Sequence, residues 1–191
     1  DAEEIVLNEN VLAEENTASS FTSVGALSVS PVSEQRLMYT VDTFGGETYD
    51  LVICDMNDYE KKPGLPKEVD RVKDVDAGVL WGADDSTVYY LKMDEEHRPY
   101  QVWRHTISTD ASTDELIFQE DNPLFWVSLD KTLDGHFAII TSASSETSEV
   151  HTVDLRQKGN AATVVAPRRQ GVLYSVDHRE GFFFVTTNEG K

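Results

Sequence analysis

The feature that most restricts this fold is a set of strand-like segments that returns about every fifty residues. A first series reads GALSVSP (25–31), AGVLWGAD (77–84), LFWVSLD (124–130) and GVLYSVD (171–177). After a short polar turn each is followed by a second: RLMYTVD (36–42), STVYYLKMD (86–94), HFAIITSAS (136–144) and GFFFVTTN (181–188). A third series reads ETYDLVICDM (47–56), RPYQVWRHTI (98–107) and SEVHTVDL (148–155), with Tyr49, Tyr100 and Val150 in equivalent places. A looser fourth element, DELIFQE (114–120) or ATVVAP (162–167), ends the unit.

Four short strands rich in Val, Ile, Tyr, Phe and Trp, separated by Asp, Gly, Ser and Asn turns, are the signature of a propeller blade. The expected fold class is all-β, a partial β-propeller of about three and a half four-stranded blades. Helical periodicity is confined to EEIVLNENVLAEE (3–15), which reads as a short helix or an extended arm. The domain reading is an arm and hinge over 1–24, then blades 1 to 3 and the first half of blade 4 over 25–191. Residues 57–76, with Pro63 and Pro66 around Gly64, read as a long exposed loop ending in the edge strand of the first blade.

Charge narrows the partners. Residues 1–60 carry 13 acids and one base, Arg36, within a formal net charge of −19 for 191 residues. Such a surface repels phosphate backbones, so no nucleic-acid partner is expected; it suits either basic peptides or plain solubility. No apolar run is long enough to span a bilayer and the first residues are acidic, so neither a membrane partner nor a secretory leader is expected. Cys54, the only cysteine, sits in an apolar strand and reads as a packed thiol. With no glycosylation sequon either, a cytoplasmic placement is expected.

The densest polar stretch is DEEHRPYQVWRH (94–105). It reads as a turn of solvated charges feeding a strand that opens at Pro99, where a missing N–H does no harm. His97 and His105 are too far apart along turn and strand to pair as the i, i+4 ligands of a helix. His97 and Arg98 have a second reading at a domain interface, because this turn lies at one end of a blade. No G-x-S-x-G, H-E-x-x-H, Walker A or G-x-G-x-x-G motif occurs. His105 and His151 fall in strands and His97, His136 and His178 at or beside turns, all as ordinary polar residues. Trp81, Trp103, Phe125, Trp126 and Phe182 to Phe184 recur with the blades and read as inter-blade core. The residues themselves thus describe a propeller with no catalytic residue, metal ligand or cofactor.

LNENVLAEE (7–15), GALSVSP (25–31), YTVDTFGGETYDLVICDM (39–56), VLWGADDSTVYYLKMDEEHRPYQVWRH (79–105) and VAPRRQGVLYSVDHREGFFFVTTNEG (165–190) resemble, in order, the oligopeptidase B propeller of the prolyl oligopeptidase family of serine peptidases. The most specific part is 79–105, while SPVSEQR (30–36) departs from the Ser-Pro-Asp turn usual there. The resemblance implies a seven-bladed propeller that gates a C-terminal α/β-hydrolase domain carrying the catalytic Ser, Asp and His. It implies cleavage of short peptides after Lys or Arg. None of those catalytic residues maps onto this chain. Arg98, Arg168 and Arg169, in turn or loop settings, are the candidates for contact with the catalytic domain. A proline-specific relative and a non-catalytic propeller scaffold are the alternatives, although WD40 and Kelch signatures are missing.

Overall fold

The computed structural model describes residues 5–58, 64–157 and 159–190. Its strands form three four-stranded antiparallel sheets and one hairpin. Blade 1 is β1 (Ser23–Val29), β2 (Arg36–Asp42), β3 (Tyr49–Asp55) and β4 (Lys67–Val75). Blade 2 is β5 (Val79–Trp81), β6 (Thr87–Met93), β7 (Pro99–Thr106) and β8 (Glu115–Gln119). Blade 3 is β9 (Trp126–Lys131), β10 (Phe137–Ala143), β11 (Ser148–Asp154) and β12 (Thr163–Ala166), and β13 (Tyr174–Arg179) pairs with β14 (Phe182–Thr187) in a half blade. Spatial order equals chain order in every sheet. Tyr49, Tyr100 and Val150 all fall in third strands, so the fifty-residue period is one blade. The first strands approach one another, β1 to β5 and β5 to β9, which puts them on the inner side of an arc that does not close.

Each blade is covered on both faces, which is why its middle strands read as apolar runs rather than alternating ones. Met38, Leu51, Ile53, Val72 and Val75 of blade 1 pack on Trp81, Val88, Tyr90 and Ile107 of blade 2. Tyr89, Leu91 and Val102 of blade 2 meet Val127, Ala138, Ile140 and Val153 of blade 3. Ile139 and Val150 meet Tyr174 and Val176 of the half blade. The outward face of blade 1 buries Leu37, Tyr39, Val41, Val52 and Cys54 against Val6, Leu7 and Leu12 of the N-terminal segment. That segment forms helix α1 (Glu9–Glu15), whose Asn8 cap accepts from the Asn10 N–H at 3.0 Å and donates its own N–H to the Gly64 carbonyl at 2.6 Å.

This anchor corrects the expectation for 57–76. β4, the edge strand expected there, occupies nine residues of that span, but Gly64 and Pro66 before it are buried rather than exposed. A Cβ on Gly64, where φ is +81°, would meet Asn8 Cβ at 2.7 Å. Pro63 lies outside the described residues. The aromatics also divide. Trp81 and Phe125 are core and Trp103 packs against it, but Trp126, Phe182 and Phe184 are 56%, 70% and 60% exposed. β14 has only β13 beside it, and among the described residues no further sheet covers its face.

Gly25 marks the tightest place on the inner strands. The β1–β2 register shifts between Val24 and Leu27, and a Cβ at Gly25 would lie 2.8 Å from Thr40 Oγ1, 2.9 Å from Tyr49 Cε1 and 3.1 Å from Ala77 Cβ. Thr40 Oγ1 accepts the Ala26 N–H at 2.8 Å and donates to the Ala77 carbonyl at 3.2 Å, joining blade 1 to blade 2. Gly25→Ala is therefore expected to cost about 1–3 kcal/mol by overpacking. Urea unfolding should show a lower midpoint with an unchanged m-value.

Candidate interdomain rim and blade-junction clusters

In an antiparallel meander the second-to-third turns and the blade-to-blade crossings share one end. The first-to-second and third-to-fourth turns share the other. Residues 94–98, 120–125, 144–147 and 167–173 therefore gather on one rim.

On that rim the 94–98 turn is built by one carboxylate. Asp94 Oδ1 accepts the N–H groups of Glu96 and Arg98, each at 3.0 Å, and Oδ2 accepts Arg98 Nε at 2.8 Å. His97 takes the left-handed conformation, φ 58°, that closes the turn. Burial pushes the Asp94 carboxyl up, but these N–H groups and the Arg98 charge outweigh it and hold it low. The solvated-charge reading fails for Arg98, which is 7% exposed and donates Nη1 to the Phe125 carbonyl at 2.8 Å. It fails also for Arg104 and His105 farther along β7, both buried; Glu95, Glu96 and His97 are the exposed members.

Arg168 stands over the ring of the same phenylalanine, its guanidinium 4.2 Å from the Phe125 ring centre. Its Nη2 donates to Glu120 Oε2 at 2.5 Å and to Glu149 Oε1 at 3.2 Å. Ser142 Oγ donates to the same Glu120 oxygen and the Asn122 N–H to the other. Burial pushes Glu120 up, yet Arg168, Ser142 and Asn122 together hold its carboxyl below the usual range. Arg98, Phe125, Glu120 and Arg168 thus form one chain of contacts from blade 2 through blade 3 to the crossing that follows. Arg169, by contrast, has a side chain 59% exposed and pairs with Glu189.

At the opposite end His105, 0% exposed, is held between two carboxylates. Nδ1 lies 2.7 Å from Asp114 Oδ1 in the β7–β8 connection and Nε2 lies 3.0 Å from Asp70 Oδ2 on β4. Tyr90 donates its hydroxyl to Asp114 Oδ2 at 2.8 Å. The imidazole thus ties blade 1 to blade 2.

A second histidine cluster ties blade 3 to the half blade. His178 Nδ1 on β13 lies 2.5 Å from Asp134 Oδ2, and His136 Nδ1 lies 3.2 Å from the same oxygen. Burial pushes the Asp134 carboxyl up, but His178, the His136 N–H and Thr132 Oγ1 bring it down to about 2. Sequence reading missed Glu120, Asp70, Asp114 and Asp134, because each partner lies on another blade or strand. The one local signal was Asp134-Gly135, an Asx turn that fixes its carboxylate.

Cys54 is 1% exposed, and burial, followed by the Glu68 charge, pushes its thiol up to about 12. It is a packed side chain and no nucleophile.

The profile of the prolyl oligopeptidase N-terminal β-propeller domain matches residues 1–191. The chain belongs to the prolyl oligopeptidase family. Within that family it is 34% identical over 190 residues to Protease 2 of Moraxella lacunata, covering 98% of this chain and 26% of that protein. It is 27% identical over 187 residues to dipeptidyl aminopeptidase BI of Pseudoxanthomonas mexicana, covering 97% of this chain and 24% of that protein. Oligopeptidase B from Leishmania major superposes with a TM-score of 0.90 at 32% identity, over 99% of this chain and 26% of that one. Oligopeptidase B from Trypanosoma brucei, solved in a closed form with covalently bound antipain, gives 0.86 at 35%, over 100% and 26%. This member of the prolyl oligopeptidase family thus spans about a quarter of the length of the relatives it matches.

Proposed function

We propose that this chain is the first part of the gating propeller of an oligopeptidase B-like serine endopeptidase. In this reading a C-terminal α/β-hydrolase domain of the same protein carries the catalytic Ser, Asp and His, and short peptides are cut after Lys or Arg in the cytoplasm. The observation that carries it is a contrast within the family. Among solved structures, identity to the two oligopeptidases B is 32% and 35%, whereas a prolyl endopeptidase and the Galerina marginata prolyl oligopeptidase B align at 16–18% with TM-scores of 0.68–0.75. The propeller contributes no reacting group. Its part is to admit short chains, exclude folded ones and, with its excess of acids, favour basic peptides.

The rim that carries Arg98, Arg168 and Arg169 is the surface that meets the catalytic domain in this proposal. Arg169 is the member whose charge faces outward, and Arg98 and Arg168 brace the turns behind it.

The test uses the full-length protein and fluorogenic peptides bearing Arg, Lys or Pro before the scissile bond. Cleavage of the Arg and Lys peptides at a kcat/KM at least a hundredfold above the Pro peptide, abolished by a serine-directed phosphonate, is expected. Preference for the Pro peptide would replace the reading by the proline-specific one. No cleavage of any peptide by a folded, full-length protein would leave the scaffold reading.

A further inference from the structure

The histidines are not paired at any ligand spacing in the sequence, yet the fold brings two of them to one carboxylate across a blade junction. We propose that Asp134, His136 and His178 bind a divalent transition cation that staples blade 3 to the half blade of β13 and β14. Zinc is the reference ion.

Three observations carry this. The ligand atoms of the three side chains all lie within 4.8 Å of one another, which no other group of His, Cys, Asp and Glu among the described residues achieves. Both imidazoles present Nδ1 to the same oxygen, Asp134 Oδ2, at 2.5 and 3.2 Å. And His136 Nδ1 is buried without a hydrogen-bond partner: it is near the carboxylate but out of line with it. A buried nitrogen of that kind is costly unless something else uses its lone pair.

The surroundings are those of a held site. Asp134 Oδ1 accepts Thr132 Oγ1 at 2.8 Å and the His136 N–H at 3.1 Å, which fixes the carboxylate plane. The His178 ring is packed by Phe137 and Phe183, with centroids 4.7 and 5.0 Å away. The nearby Arg156 cation is matched by Asp154 through two contacts of 2.9 and 2.8 Å. A cleft of about 560 Å³ opens beside Asp134 and His178, lined also by Leu133, Asp177, Arg179 and Phe184, and the Arg179 guanidinium faces Glu180 at 3.4 Å.

Metal bonds of roughly 2.0–2.2 Å put tetrahedral ligand atoms about 3.4 Å apart. The 2.5 Å contact must open by about 0.9 Å and a separation of up to 4.8 Å close by up to about 1.4 Å, which side-chain rotation supplies. A neutral imidazole that binds a metal through Nδ1 carries its proton on Nε2, so the site requires that tautomer of both rings. Two imidazoles and one carboxylate favour Zn²⁺, Co²⁺, Ni²⁺ or Cu²⁺ over Mg²⁺ or Ca²⁺, which want oxygen alone.

The test is made on the full-length protein after chelator treatment and dialysis. Zn²⁺ is titrated by calorimetry and Co²⁺ by visible absorption, in wild type and in His136→Ala. The wild type is expected to bind with the intense visible bands of tetrahedral Co²⁺ and to melt higher with Zn²⁺. In the variant, affinity for that site should fall at least tenfold and the melting shift should vanish. His136→Gln, which keeps side-chain bulk, stands beside it so that a folding defect in either variant is recognised by its metal-free melting temperature. Absence of binding to the wild type, or equal affinity and stoichiometry in wild type and folded variants, would overturn the proposal.

Discussion

Replacing His105 by leucine is expected to destabilise the protein by about 3–5 kcal/mol, the range for removing one member of a buried ionic cluster. The imidazole is fully buried, and its two nitrogens are the groups facing Asp70 and Asp114, whose side chains are 12% and 1% exposed. Leucine fills the volume but offers nothing to either carboxylate. Asp114 keeps the Tyr90 hydroxyl, and Asp70 keeps the Ser108 N–H, so the loss is partial rather than total.

The effect carries a pH signature. Burial pushes Asp70 up, but the His105 hydrogen bond and the Ser108 and Arg71 N–H groups leave it below its ordinary value. A depressed carboxyl contributes stability above its unfolded pKa, lost as pH falls through the folded one. Without His105 the burial penalty weighs more, the folded pKa rises, and acid unfolding should begin at higher pH. Urea midpoints at pH 7, together with acid titrations followed by circular dichroism, read both effects. A variant unfolding with wild-type midpoint and acid limb would show that the two carboxylates need no bridge.

Arg168→Met is the second large change. Glu120 is 5% exposed, and methionine retains the packing on Phe125 while removing the charge that two carboxylates share. Because Arg168 is itself part-exposed, a loss of about 3 kcal/mol is expected, at the lower end for a broken buried pair. Glu120→Gln in the same chain should restore part of it, since an amide is far cheaper to bury than an unpaired carboxylate. In the cycle the double variant is therefore expected to be more stable than the two single costs predict. Simple additivity would mean that Arg168 and Glu120 are not coupled and that the loss falls on the Glu149 contact instead. The pH dependence has the same sign as at Asp70: Arg168 is the largest of the groups that hold Glu120 low, so the variant's deficit should shrink as pH falls and Glu120 takes up a proton.

These two sites also mark where sequence reading stopped. The blades were legible because strand residues recur at a fixed step and the turns between them carry Asp, Gly and Asn; both are local properties. The expectation of solvated charge at 94–98 followed from composition, since Asp94, Glu95, Glu96, His97 and Arg98 are all polar. What buries Arg98 is a carbonyl on Phe125, 27 residues later on the next blade. His105 looked ordinary because its partners are 35 residues before it and 9 after it. Strand alternation puts Trp103 and His105 on one face of β7, but it carries no information about the carboxylate of another blade that stands there. Aromatic recurrence misled at Trp126, which is 56% exposed, because recurrence reports membership of a blade and not whether that side chain is covered.

The order of the strands has a consequence for how such a molecule is made. Every β-ladder joins segments adjacent in the chain, so loop closure is cheap and each blade can form as soon as its own stretch leaves the ribosome. The strand ladders of blade 1 need nothing after Val75, and its outward flank is sheltered from the start by Val6, Leu7 and Leu12. The leading flank has no such shelter: the apolar side of the newest blade stays bare until the next is translated. Slowed synthesis should therefore leave nascent chains sticky at their growing end while their beginning is already native.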